Sequence, residues 1–83
     1  MIDGEMIAVH LDITLDICPM TFVKTKLELE EMEPGQLLEV LVREGESLEN
    51  VSRSCTAEGH EVVGRQRTER NPAHWRLTIR RGR

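Results

Sequence analysis

The residue with the most evident chemistry is Cys18, set in Ile17-Cys18-Pro19-Met20-Thr21. A short alternating stretch runs into it and a long helical stretch runs out of it. The sequence therefore predicts a cysteine where a strand meets the first turn of a helix. Such a helix start has unpaired N–H groups and a partial positive charge, and both favour an anion. A thiol there is pushed toward thiolate, the nucleophilic form. Pro19 agrees with this placement, because its fixed φ and missing N–H suit the first helical position. Cys18 is then the N-cap.

Chemistries that need several residues find little support. There is no Gly-rich loop to cradle phosphate. The chain has 2 cysteines and 3 histidines, and no pair of them has zinc-ligand spacing such as Cys-x-x-Cys, so no metal site is expected. A cysteine hydrolase needs a base beside its thiol. No histidine neighbours Cys18 in sequence, and only folding can bring His10, His60 or His74 to it. A domain this small also has little room for a substrate cleft. What remains is a lone nucleophile at a helix start. It suits a carrier, which needs an exposed sulfur and little else. It equally suits a structural cap on a core helix.

The elements that must position Cys18 follow from periodicity. Residues 1–5 read as a loose start. Ile7, Val9, Leu11 and Ile13 alternate with Ala8, His10 and Asp12, which predicts a half-buried strand with His10 on its polar face. A helix is expected from Pro19 to about Met32, stopped at Glu33-Pro34-Gly35. Met20, Val23 and Leu27 form one apolar group on it, and Phe22, Leu29 and Met32 a second. The expectation is that the two groups serve the sheet and a second helix; the alternative is that part of this apolar surface meets a partner. The acids Glu28, Glu30, Glu31 and Glu33 oppose the helix dipole, so tertiary packing must hold that end.

A second strand is expected over 36–44. Leu38, Val40 and Val42 form one face, and Leu37 and Leu41 make the other apolar too, as in a central strand. Joined to the first strand through a helix, it should lie parallel to it. The second helix is expected to begin near Asn50, end before Gly59, and bury Leu48, Val51 and Cys55. Residues 60–68 and 74–80 form a hairpin around the Asn71-Pro72 turn. The fold class is thus α/β (α+β), a two-layer sandwich in the order β-α-β-α-β-β, with a four-stranded mixed sheet and two helices on one face. The 83 residues make a single domain, 1–83.

Composition excludes further classes. No apolar run reaches about 18 residues, so no membrane-spanning segment is expected, and no signal peptide is evident. Two cysteines in such a chain read as free thiols, which points to a reducing, cytoplasmic setting. The net charge of −4 hides an asymmetry. Residues 62–83 hold 7 arginines and 1 glutamate, whereas the acids concentrate before them. An Arg-rich end can touch phosphate, but the arginines also suit a solvated strand face partnered by acidic helices. Phe22 and Trp75 are too few for single-strand stacking, so direct nucleic-acid binding is not expected.

The pattern Asp12-x5-Cys18-Pro19-x4-Lys24-x-Lys26-x2-Leu29, followed by Met32-x-Pro34-Gly35-x2-Leu38-x-Val40, resembles the TusA/SirA-type sulfur-carrier family. Asn50-Val51 and Gly59-His60-Glu61-Val62 fall where that family has its second helix and third strand. The resemblance covers about Val9 to Ile79. It implies the same β-α-β-α-β-β fold. It further implies a sulfurtransferase-type relay in which Cys18 accepts a sulfane sulfur as a persulfide and hands it to another protein. No cofactor is implied, because the sulfur is carried covalently on Cys18. The partners would be a sulfur-donor protein such as a cysteine desulfurase and a downstream acceptor protein, with the carrier a monomer. Lys24 and Lys26 are candidates for partner binding or for steadying a negative sulfur.

The chain departs from the family signature Cys-Pro-x-Pro, since Thr21 stands where the second proline is usual, and Leu15-Asp16 replaces a common Gly-Leu. Asp16, Pro19, Met20 and Thr21 therefore shape the helix start. Thr21 has an N–H that proline lacks, and this donor is expected to bond the Cys18 sulfur. Asp16 works against thiolate by its negative charge. The alternative function is a non-enzymatic interaction or regulatory module, with Cys18 a redox-sensitive or purely structural thiol.

Overall fold

The computed structural model describes residues 7–17 and 20–82. Cys18 and Pro19, with the expected N-cap and N1 positions, and residues 1–5 lie outside the described residues. The elements are β1 (Ile7–Asp12), α1 (Met20–Glu30), β2 (Leu37–Arg43), α2 (Glu46–Ala57), β3 (Glu61–Arg67) and β4 (His74–Arg80). They form one 4-stranded sheet in the order β1-β2-β4-β3. β1 and β2 are parallel, while β4 is antiparallel to both β2 and β3, so the sheet is mixed. β2 lies between β1 and β4, so both of its edges are paired.

One core holds the two layers together. Leu38, Val40 and Val42 of β2 and Leu77 and Ile79 of β4 are fully buried beneath Leu29 and Met32 from the α1 end and Leu48, Val51 and Cys55 of α2. Val9, Leu11, Val62 and Trp75 close its edges. Both helices thus cover the same sheet face, as expected.

The helices differ from the sequence expectation in which residues they bury. α1 turns Thr21, Thr25 and Leu29 inward, with Met32 following beyond its end. Met20, Val23 and Leu27 are not core positions; they are 43%, 37% and 56% exposed. Of the two inner threonines, Thr25 satisfies its hydroxyl by donating to the Thr21 carbonyl at 2.8 Å. α1 also stops at Glu30, and the chain closes through shorter turns, Glu31 N–H to Glu28 O and Met32 N–H to Leu29 O, both at 3.1 Å.

α2 begins at Glu46, four residues before Asn50. Gly45, with φ 106°, turns the chain directly out of β2, and Glu46 and Glu49 meet the helix dipole in the first turn. The Asn50 side chain instead accepts a hydrogen bond from Arg53. Near the start of β3, Val62 faces Ile79 but Arg65 faces Leu77, so an extra residue bulges between them. The bulge reverses the strand's parity. Val63 becomes exposed, and Arg65 and Arg67 come to the helix side, against Trp75.

Candidate functional site around the start of helix α1

The loop that carries the chain from β1 to α1 is pinned at several points. The Asp12 carboxylate accepts the Thr14 N–H at 2.9 Å and the Thr14 hydroxyl at 2.7 Å. These two bonds hold the Asp12 carboxyl below its ordinary value, chiefly through the backbone donor. Ile13 and Thr14 are buried, Ile13 N–H reaches the Leu41 carbonyl at 3.0 Å, and Asp16 N–H closes on the Ile13 carbonyl at 3.1 Å. The Ile17 carbonyl then accepts the Met20 N–H at 2.8 Å, which joins the loop to the first residue of α1. Asp12 and Thr14 were not singled out as site residues in the sequence, although Asp-x-Thr spacing is itself a turn signature.

Of the expected site residues, the structure brings Asp16 and Lys24 together, with Lys24 Nζ 2.9 Å from Asp16 Oδ1. The negative charge of Asp16 is therefore met locally by an ammonium group. An exposed pair of this kind contributes only about 0.2–1 kcal/mol, so a partner can displace it. Met20 opens α1 on the solvent side, Thr21 is fully buried, and Lys26 lies two residues beyond Lys24, partly buried.

The loop also presents apolar side chains to water. Leu15 is 96% exposed and Ile17 75%, and Met20, Val23 and Leu27 continue the surface along α1 at spacings of three and four. Exposed apolar surface gathered in one place marks a contact site far more often than scattered single residues do. Beside Ile17 runs a shallow groove of about 220 Å³ lined by Asp16, Ile17, Arg43, Glu44, Glu46 and Ser47. It lies where the carboxyl end of β2 meets the start of α2, a usual position for sites on α/β sheets. None of the three histidines lines this groove. His10 pairs with Glu39 on the open sheet face, and His60 accepts the Gly82 N–H at 2.9 Å. His74 starts β4 opposite Arg43, with its ring 3.4 Å from the Asn71 amide.

Cys55 is buried in α2. Its surroundings push the thiol up to about 12, by desolvation first and by the charge of Glu58 second. It is a core side chain, as its helix position suggested. Among the described residues no group of three His, Cys, Asp or Glu side chains is arranged to hold a metal ion.

The arginines near the C-terminus are largely engaged. Arg65 pairs with Glu49 of α2 at 3.1 Å, Arg67 with Glu44 at 3.4 Å, Arg76 with Glu39 at 2.7 Å and Arg80 with Glu61 at 3.2 Å. Only the first of these partners lies on a helix; the others lie on strands or at a strand end. Trp75 donates its indole N–H to Glu44 at 2.9 Å and carries the guanidinium groups of Arg65 and Arg67 over its ring at 5.8 and 5.1 Å. Arg81 was not singled out by sequence, yet its Nε donates to the Leu29 carbonyl at 2.6 Å. It supplies the positive charge that the acidic C-terminal end of α1 lacks.

Against known proteins, residues 9–81 match the family model described as Sulfurtransferase TusA. The chain belongs to the TusA family. It is 38% identical over 71 residues to an Archaeoglobus fulgidus protein provisionally named a sulfur carrier protein, covering 86% of this chain and 78% of that one. A Methanocaldococcus jannaschii protein with a similar provisional name is 39% identical over 71 residues, covering 86% and 91%. Among solved structures, a SirA-like protein from Desulfitobacterium hafniense superposes with TM-score 0.75 at 22% identity, covering 90% of this chain and 99% of that one. A Helicobacter pylori protein superposes with TM-score 0.64 at 16% identity. These two share the fold. No helix among the described residues is long and apolar enough to cross a membrane.

Proposed function

We propose that the protein is a sulfur carrier that accepts a sulfane sulfur as a persulfide on Cys18 and relays it to an acceptor protein. Membership of the TusA family and the names of its relatives support the carrier role. The observation that carries the reading is the exposed apolar surface of Leu15, Ile17, Met20, Val23 and Leu27, which brackets Cys18 in the chain. An enzyme acting on small molecules would enclose its nucleophile in a cleft. A carrier must instead offer it at a surface that another protein covers.

The transfer balances without a cofactor. The Cys18 thiolate attacks the outer sulfur of a donor persulfide, the donor's S–S bond breaks, and the donor leaves as thiolate. Cys18 then holds the outer sulfur until an acceptor nucleophile attacks it and Cys18 leaves as thiolate in turn. Both steps gain from a stabilised thiolate on Cys18. A cysteine desulfurase is the donor of matching chemistry, and the cytoplasm is the compartment that keeps both thiols free. The carrier acts as a monomer, so that the apolar surface is open to its partners. Lys24 and Lys26 flank that surface and meet acidic side chains of the partner, with Lys24 released from Asp16 on docking.

Incubation with a cysteine desulfurase and cysteine tests this. Mass spectrometry should find the mass of one sulfur atom added to the peptide holding Cys18. The Cys55 peptide should stay unmodified, because that thiol is buried and held protonated. A folded protein that gains no sulfur on Cys18 would favour an interaction module with a structural or redox-sensitive thiol.

A further inference from the structure

The segment that follows β4 straps the end of α1 to the rest of the fold. Its backbone pairs with the turn between α1 and β2: Gly35 N–H donates to the Arg81 carbonyl and Arg81 N–H to the Gln36 carbonyl, both at 2.9 Å. The Arg81 side chain reaches the last turn of α1, with Nε on the Leu29 carbonyl at 2.6 Å, while its Nη1 donates to the Gly82 carbonyl at 2.5 Å. The guanidinium therefore bridges α1 and Gly82. Gly82 is in turn held at the turn between α2 and β3. Its N–H donates to His60 Nδ1 at 2.9 Å, and a Cβ at this position would lie 2.0 Å from the Gly59 carbonyl oxygen. His60 is itself fixed by its N–H on the Cys55 carbonyl at 3.0 Å. One titratable side chain thus closes a run of contacts from α2 to the C-terminal end of α1.

An imidazole accepts at Nδ1 only when neutral, with its proton on Nε2. Once protonated it carries a proton on both nitrogens and turns a donor toward the Gly82 N–H. We propose that His60, Gly82 and Arg81 form a pH-sensitive strap that sets helix α1, closed while His60 is neutral and released when it is protonated. The step is proton uptake from water: one N–H bond forms at Nδ1, one hydrogen bond breaks, and nothing is oxidised or reduced. The charges acting on the ring are Arg81 beyond β4 and Glu58 at the end of α2. Burial and Arg81 disfavour the imidazolium and outweigh Glu58, so the neutral ring and the closed strap are favoured. On the adjoining strands Arg80 and Glu61 pair with each other at 3.2 Å. Because α1 carries Met20, Val23 and Leu27 on its outer side, the strap also sets the surface assigned above to partners, and that consequence rests on the carrier reading.

The test is an NMR titration of isotope-labelled protein between pH 7 and pH 5. It uses no sulfur donor, so failure to load sulfur is a separate result that bears on the carrier reading alone. The His60 ring should titrate with a midpoint below 6.5. Through that titration the Gly82 amide proton should move upfield and lose its scalar coupling to His60 Nδ1, and the amides of Leu29 and Glu30 should move with the same midpoint. His60→Asn offers Oδ1 as an acceptor that does not titrate, and should hold all three amides at their pH 7 positions. Gly82→Ala cannot seat against Gly59, and should place the Leu29 and Glu30 amides at their acid positions already at pH 7. Coupling that persists through the His60 titration overturns the proposal, as do α1 amides that fail to follow it. A His60→Asn protein that titrates like the wild type, or a Gly82→Ala protein with wild-type α1 amides at pH 7, overturns it equally.

Discussion

Replacing Met20 and Leu27 together by serine should weaken sulfur loading without unfolding the domain. Both side chains sit on the outer face of α1, 43% and 56% exposed. Full burial of a Leu or Met side chain contributes about 1.5–3 kcal/mol. Roughly half of that surface is still in water, so docking gains about 1 kcal/mol from each. Losing both amounts to about 2 kcal/mol, or roughly a 30-fold fall in affinity. The fold should lose about 2–3 kcal/mol in total, from the lower helix propensity of serine and the half of each side chain that is already buried, within the roughly 5–15 kcal/mol that such domains possess. The assay is the initial rate of sulfur transfer from a cysteine desulfurase to Cys18, measured below saturating carrier concentration. Urea unfolding is run on the same preparations. A loading rate within about threefold of wild type, with the fold intact, would refute the assignment of this face to docking, because the lost area is fixed by the structure.

Two further outcomes follow from the periphery of the site. Arg81→Met should destabilise the domain by about 2 kcal/mol in urea unfolding, because the buried Leu29 carbonyl loses its charged donor at the acidic end of α1. Stability should also fall as pH drops below about 6.5, in part through His60. Burial first, and the Arg81 charge second, hold its pKa below the ordinary 6.5. A group depressed in the folded state contributes stability that is complete above its unfolded pKa and is lost as pH falls through the folded one. Urea titrations between pH 7 and pH 5 should therefore show a smaller loss in His60→Asn than in wild type.

Much of the architecture was legible because it follows from strong local signals. The alternation of Ile7, Val9 and Leu11, the doubly apolar β2, and the stops at Pro34-Gly35 and Gly59 each express a backbone or burial rule that acts within a few residues. The errors arose where neighbours in space decide. Asn50 is a good capping residue, yet Gly45 starts α2, because the chain leaving β2 has to turn at once and only a positive φ turns it there. Arg65 and Arg67 alternate with Val62 in sequence, and a bulge made against β4 brings them to the same face as half-buried Val62 while Val63 is exposed. The apolar group Met20, Val23 and Leu27 has the spacing of a packed stripe. α1 instead turns Thr21, Thr25 and Leu29 inward, and Met20, Val23 and Leu27 are left at the surface.

The sequence by itself determined the nucleophile candidate, the strand-loop-helix setting of Cys18 and the family pattern from Asp12 to Val40, because these depend on residue type and spacing along one stretch of chain. Tertiary structure alone decided what surrounds that stretch. It paired Asp16 with Lys24, turned Leu15 and Ile17 to solvent, brought Arg43 and Glu46 to the loop, and buried the Thr21 hydroxyl without a partner among the described residues. The physical reason is that burial and charge pairing are properties of contacts between distant segments. A local pattern states which side chains are available to such contacts, and only the packed sheet and helices select among them.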